Sequence, residues 1–402
     1  MAGALLLAPA LRAQFSLSGE FRPRTELSRG YSTLASDGQK ASVFTSQRTR
    51  LNAAFKNEFI QTSLVLQDVR LWGGQPQLVT NEDYAVSLHE GWAEIFFKPE
   101  FSLKAGRQEL VYDDSRIFGN VGWTQQGRSH DVALFKYQKD FKLHFGLAHH
   151  ESGNRKNNLY NGPDAYKDLQ FVWFNKTWTN EALSLLFLNN GMPVWRNNEQ
   201  ETRYSQTMGG RFTFNPKPVQ VATNFYYQTG KDGANKSINA YNFLCEVSAK
   251  MSPTATATLG FETLSGTDVG ETGENNSFNP FYGTNHKFNG FMDYFYVGNH
   301  LNSVGLNDLY FMWNCNRFKN ISWNLHLHYF GAAAKLSGDA GSYLGTEADF
   351  DLTWTVNPFT KITAGWSHLW AGESMEILKG GDRKTGQNWA YLMIAVTPAF
   401  LK

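Results

Sequence analysis

The chain has 402 residues, carries 37 Lys plus Arg against 36 Asp plus Glu for a formal charge of +1, and has a mean hydropathy of −0.42. Beyond its first residues it holds no run of about twenty apolar residues, which excludes crossing a bilayer as a helix, and so balanced a charge gives no support to a nucleic-acid partner. Aromatic residues nonetheless reach 15%, with 12 Trp, 17 Tyr and 31 Phe; the excess suits strands whose rings face lipid and girdle two membrane interfaces.

Met1 to Ala13 form an apolar stretch around Leu5, Leu6 and Leu7, a break at Pro9, and Leu11-Arg12-Ala13 before Gln14. This is similar to the end of a secretory signal peptide cut after Ala13. A single β-barrel domain is expected over 14–402.

Strict two-residue alternation then recurs. Phe141, Leu143, Phe145 and Leu147 interleave with Lys142, His144, Gly146 and Ala148; Tyr241, Phe243, Cys245, Val247 and Ala249 interleave with Asn242, Leu244, Glu246 and Ser248. Ile321 to Tyr329 alternate with Ser322, Asn324, His326 and His328, and Phe350, Leu352 and Trp354 with Glu347, Asp349, Asp351 and Thr353. Period two marks strands wetted on one face. Cys245 and Cys315 fall on the apolar parity of non-neighbouring strands, which reads as two small hydrophobes rather than a disulfide.

The connections are of two kinds, in turn. Short ones lie at Asn57-Glu58, Pro99-Glu100, Lys139-Asp140, 179–181, 215–218, 251–253, 317–319 and 356–358; long polar or Gly-rich ones lie at 27–42, 72–83, 111–129, 150–166, 191–202, 230–237, 265–306, 331–343 and 371–387. Eight turns and nine loops make eighteen strands. The fold expected is all-β: a transmembrane antiparallel barrel, an up-and-down meander with no free edge and every backbone group paired inside lipid. An even strand number puts both termini on the turn side, which is the periplasm in a bacterial outer membrane, with outer-membrane lipid and lipopolysaccharide around the wall.

With apolar residues toward lipid, the other parity lines an aqueous lumen. Glu20, Arg22 and Arg24 gather on the first strand, Arg48 and Arg50 on the second, Asp68 and Arg70 on the third, and Glu90 and Glu94 on the fourth. Arg keeps its charge and offers a planar fork to carboxylates, so an Arg-lined constriction favours anions, with acids such as Asp68, Glu94 and Asp131 holding the guanidinium groups in place. Arg107 shares parity with apolar Phe101, Leu103 and Ala105, so either a bulge intervenes or the strand has risen above the lipid there.

The densest run is Gly106-Arg107-Gln108-Glu109, then Asp113-Asp114-Ser115-Arg116-Ile117-Phe118-Gly119, Trp123, and Gly127-Arg128-Ser129-His130-Asp131; a second is Phe278-Asn279-Pro280-Phe281-Tyr282-Gly283 followed by His286-x-Phe288-x-Gly290-x-x-Asp293. Together with Arg48-Thr49-Arg50, Asp68-Val69-Arg70 and Ser265-Gly266, these resemble the alginate export family of outer-membrane barrels, over roughly Phe15 to the C-terminus. The resemblance implies an eighteen-stranded barrel with a narrow Arg-lined pore, an anionic polysaccharide or uronate as solute, and periplasmic export partners. Its matched pore residues are Arg48, Arg50, Asp68, Arg70, Arg107, Arg116, Arg128 and Asp131; Arg22, Arg24, Glu94, Glu109 and Asp114 complete the candidate lining. A substrate-selective or general uptake porin for small sugars, carboxylates or amino acids stands as the alternative.

Nothing in the residues assembles a catalytic site, a resident metal or a cofactor. His326 and His328 beside Ser322, and His149-His150-Glu151, lack a converging nucleophile, base and orienting group. The ten His show no zinc-ligand spacing. Asp113-Asp114 and 271–274 offer oxygen ligands of the kind that brace loops through calcium, a weaker reading. The glycines at 266, 270 and 273 sit among acids that would repel a phosphate.

Overall fold

The computed structural model describes residues 14–78, 86–152, 159–162, 166–338 and 340–401; the expected signal-peptide remnant lies outside them. Twenty strands follow in chain order: β1 (Gln14–Arg29), β2 (Ser42–Lys56), β3 (Ile60–Leu71), β4 (Ser87–Lys98), β5 (Phe101–Gln108), β6 (His130–Gln138), β7 (Lys142–His149), β8 (Asp168–Thr177), β9 (Glu181–Arg196), β10 (Glu199–Phe214), β11 (Val219–Lys231), β12 (Ser237–Ser252), β13 (Ala255–Leu264), β14 (Glu274–Asn275), β15 (Leu306–Phe318), β16 (Ile321–Gly331), β17 (Tyr343–Asn357), β18 (Thr360–Ala371), β19 (Gln387–Val396) and β20 (Ala399–Leu401). Among the described residues one short α-helix, α1 (Glu373–Lys379), lies between β18 and β19, and a single 3-10 turn spans Asn285–Lys287.

Eighteen of these strands form the barrel. Each pairs antiparallel with its chain neighbour, β13 pairs with β15, and β19 returns to β1 with Phe21 opposite Val396 and Arg29 opposite Asn388. β20 prolongs β19 along β1 after a shift at Leu17/Ser18, and β14 is a two-residue bridge beside β12. Closure leaves no edge, which is what lipid requires of a spanning sheet. The outward parity is apolar, as at Phe21, Leu51, Leu64, Phe135, Phe187, Phe225, Leu259, Phe350 and Leu392, all exposed.

The connections again fall into two sets, with one departure. Residues 191–202 were expected to form a loop; instead β9 and β10 run on as a ladder from Glu181↔Phe214 to Arg196↔Glu199. The hairpin closes on Asn197 and Asn198, whose φ values of 49° and 65° are those of a two-residue turn that follows the strand twist and that Asn tolerates. The real long connections at this loop end are 30–41, 72–86, 109–129, 150–167, 265–305, 332–342 and 372–386.

Two of them, 109–129 and 265–305, fold into the barrel and give it a core. Leu110, Phe118, Phe278, Tyr294 and Phe295 are buried, and on the wall inward Leu169, Phe171, Leu188, Leu264 and Phe330 are buried against them. The loops also seize each other. Phe118 and Tyr282 form a parallel bridge with rings 5.8 Å apart, and Gly119 N donates to Tyr282 O at 2.9 Å. A Cβ on Gly119 would come within 3 Å of Thr284, and one on Gly283 within 3 Å of the Arg116 carbonyl; the backbones approach so closely that only glycine fits.

Candidate functional site in the barrel lumen

The inward face of β1 and β2 carries a row of Arg that grips loop 109–129. Arg22 donates to Gln125 Oε1 at 3.1 Å and to the carbonyls of Gly122 and Thr124 at 2.8 and 2.7 Å. Arg24 reaches the Trp123 carbonyl at 2.8 Å, lies 4.2 Å over the Trp123 ring, and pairs with Glu26 at 2.8 Å. Arg48 pairs with Glu20 at 2.6 Å and touches the Thr124 carbonyl; Arg50 donates to Gln67 at 2.7 Å and to the Gln126 carbonyl. Carbonyls at 122–126 thus accept the hydrogen bonds of a basic wall whose charge is countered by Glu20 and Glu26.

The wall of β13, β15 and β17 does the reverse. Glu262 on β13, Asp308 on β15, and Glu347 and Asp349 on β17 point inward and are buried, and donors from the two loops meet them. Arg116 binds Glu262 through Nε at 2.7 Å and through Nη2, which also donates to Asn289 Oδ1 at 2.8 Å. Asn289 Nδ2 donates to Glu262 at 2.9 Å and Asp308 at 3.1 Å; Met292 N donates to Glu347 at 2.9 Å. His328 sits 3.0 Å from Asp308. Between the walls, His286 stacks on Trp123 with centroids 4.7 Å apart and lies 2.6 Å from Asp293, which also accepts from Tyr31.

The remaining expected lining residues separate into two groups. Glu94 is inward, bonded to Ser102 at 2.6 Å and Lys136 at 2.8 Å. Glu109 lies 2.9 Å from His89 and accepts from Asn120 at 2.7 Å; although burial pushes its carboxyl up, these hydrogen bonds and the neighbouring His89 and Arg50 hold it below its ordinary value. Asp114 accepts from Arg211 at 2.7 Å and Asn224 at 2.6 Å, Asp113 from Trp173, and Arg128 donates to the Gly283 carbonyl at 3.0 Å.

Asp68, Arg70, Arg107 and Asp131, by contrast, do not face the lumen. Asp68 and Arg70 share the outward parity of Leu64 and Leu66, opposite Thr49 and Gln47; Arg107 shares that of Leu103, opposite Asp131. All four stand near the loop end of their strands, Asp68, Arg70 and Arg107 just before a long connection and Asp131 just after one. They pair there with one another, Arg70 to Asp68 at 2.7 Å and Arg107 to Asp131 at 3.1 Å, exposed pairs worth about 0–1 kcal/mol each. Arg107 sits in a continuous β5–β6 register with no bulge in its own strand, one residue from the loop end. A bulge does occur next door, at His89, where Val65 opposes Glu90 but Leu66 opposes Leu88.

Sequence reasoning passed over the turn-end mouth. Lys56, Lys142, Lys250 and Lys361 are each the inward residue nearest a turn, on β2, β7, β12 and β18, and all are exposed. Among the described residues none makes an ion pair, and no strand places Asp or Glu at that position; the acids Glu58, Glu100 and Asp140 lie in the turns. Extending the inward parity to each strand's last residue finds this set.

No family model matches the chain, and no curated protein does. The resemblance to the alginate export family is therefore not supported; the two motifs that suggested it are the two inward loops, and their Gly, Phe, Trp and Arg residues serve loop-to-loop and loop-to-wall packing. Solved structures do match over nearly the whole length. Pseudomonas aeruginosa OccK9 (OpdG) superposes with a TM-score of 0.65 at 11% identity, over 96% of this chain and 98% of that one. OccK11 (OpdR) gives 0.63 at 12% identity over 96% of each, and OpdK, solved with vanillate, 0.60 at 10% over 96% and 99%. These are outer-membrane porin structures. At such identity the likeness establishes the fold: this chain is a closed eighteen-stranded antiparallel β-barrel of the porin type.

Proposed function

We propose that the chain is a passive channel of the bacterial outer membrane for small hydrophilic anions, with its turns and both termini in the periplasm and its long loops outside. The observation that carries this reading is the ring of Lys56, Lys142, Lys250 and Lys361 at the turn-end mouth, whose members make no ion pair among the described residues. Ammonium groups with no carboxylate partner raise the local concentration of anions and lower the barrier to their passage. Bulk charge, at +1, conceals this because most other charges of the lumen are paired with one another.

The two inward loops favour small solutes over a polymer. They fill much of the lumen with packed side chains, and the Arg row of β1 and β2 is occupied in holding them. A polysaccharide export channel would need that row free and periplasmic partners to feed it; an uptake channel for small carboxylates needs neither. OpdK was solved with a carboxylate, vanillate, which fits the same reading. Permeation tests it: after the rates of protein-free liposomes are subtracted, liposomes bearing the protein should admit benzoate faster than uncharged benzamide. Equal rates would overturn the anion preference, and flux of polyuronate without benzoate would restore the export reading.

A further inference from the structure

A cavity of about 250 Å³ opens in the lumen wall away from the lysine mouth, lined by Arg211, Leu244, Glu246, Glu262, Asp308, Tyr310, Met312, His326 and His328 from the strands, and by Asp114 and 287–289 from the inward loops. It holds many charges, but pairing removes most of them. Glu262 is taken by Arg116 and two amides, Asp308 by His328 and Asn289, and Asp114 by Arg211 and Asn224.

Two opposite charges are left incompletely satisfied. Glu246 accepts from Tyr310 at 3.0 Å and has only a long 3.4 Å contact with Arg211, with its side chain 24% exposed. Lys287 is exposed and spends one donor on the Asp114 carbonyl at 2.5 Å, leaving two. His326 also faces the space with no hydrogen bond among the described residues, and Leu244, Tyr310, Met312 and Phe288 supply apolar surface between.

From this arrangement we infer that the cavity is a subsite for a small zwitterion of the α-amino-acid type: its carboxylate on Lys287, its ammonium on Glu246, and an apolar side chain along Leu244 and Met312. The volume equals about eight waters at about 30 Å³ each, which matches a solute of that size. A lone anion would leave Glu246 facing it, and a lone amine would leave Lys287 facing it, so only the zwitterion satisfies both. The inference rests on the reading of this lumen as a path for small solutes.

Equilibrium binding to the detergent-solubilised barrel tests it with three probes of one skeleton: leucine, its des-amino analogue 4-methylpentanoate, and its decarboxylated analogue 3-methylbutylamine. Leucine should bind at least tenfold tighter than either analogue. Glu246→Gln, which keeps the hydrogen-bonding shape, and Lys287→Met should each weaken leucine about tenfold; Glu246→Gln should leave 4-methylpentanoate unweakened, and Lys287→Met should leave 3-methylbutylamine unweakened. Equal binding of the three probes, or leucine binding indifferent to both variants, overturns the subsite. Because binding is measured without current, a pore that fails to conduct would refute the channel while the subsite result stood on its own.

Discussion

Replacing Arg116 with Met tests whether the inward loops are held by the buried charges of the wall. Arg116 is fully buried and Glu262 is 1% exposed. Removing one partner of a buried pair costs about 3–5 kcal/mol, because the other charge stays behind uncompensated. Here Glu262 keeps two amide donors, Asn242 at 2.8 Å and Asn289 at 2.9 Å, which places the loss at the low end, about 3 kcal/mol. At about 1.4 kcal/mol per factor of ten, the docked-to-undocked ratio of loop 109–129 falls by about a hundredfold. In single-channel recordings, excursions to a larger conductance should become about a hundredfold more frequent. Adding Glu262→Gln should return part of that loss, since a neutral amide no longer needs the guanidinium. If excursions in Arg116→Met stay within about twofold of the unmodified protein, buried pairing is not what holds the loop in the lumen.

Further outcomes follow from the same geometry. Changing Lys56, Lys142, Lys250 and Lys361 together to Gln should move the reversal potential in a salt gradient toward cations, whereas Asp68→Asn with Arg70→Gln, on the outer wall, should leave it unmoved. Gly119→Ala forces a methyl group onto Thr284 and should loosen the junction of the two loops, seen as protease cleavage within 109–129 or 265–305 in the otherwise intact barrel. For Glu109, whose folded value lies below the ordinary 4.5, the tether to His89 and Asn120 is fully present above that pH and lost as pH falls through the lowered value. Current noise should therefore rise as pH falls below the ordinary 4.5 and the tether is lost. Cysteines placed at 234 and 340 should be labelled on intact cells, and one placed at Pro216 should not.

The barrel was legible because its signal is local. Alternation along each strand and turn residues between them fixed the count of eighteen, and the one misplaced loop, 191–202, failed because Met192, Pro193, Val194 and Trp195 look irregular until paired with 199–203. The lining was legible only where parity sufficed. Arg22, Arg24, Arg48, Arg50, Glu90 and Glu94 fall on the inner face as alternation requires. Asp68 and Arg70 were misread because charge was taken to mean lumen, although their own parity with Leu64 and Leu66 pointed outward; near the loop end, water makes an outward charge tolerable. Glu109, Asp114, Arg116 and Arg128 belong to a loop, and period two says nothing of where a loop goes. Their partners lie far along the chain, Glu262 being 146 residues from Arg116, so no local pattern could join them. The acids at 347, 349 and 351 were visible as a polar face, but the task of Glu347 in receiving loop 265–305 was not.

The reversal potential of the unmodified protein, reconstituted in a planar bilayer under a tenfold potassium chloride gradient, tests the central claim most directly. An open channel whose mouth is lined by Lys56, Lys142, Lys250 and Lys361 should give a potential of the sign set by chloride. A potential of the sign set by potassium would contradict it, as would a membrane that carries no current at all.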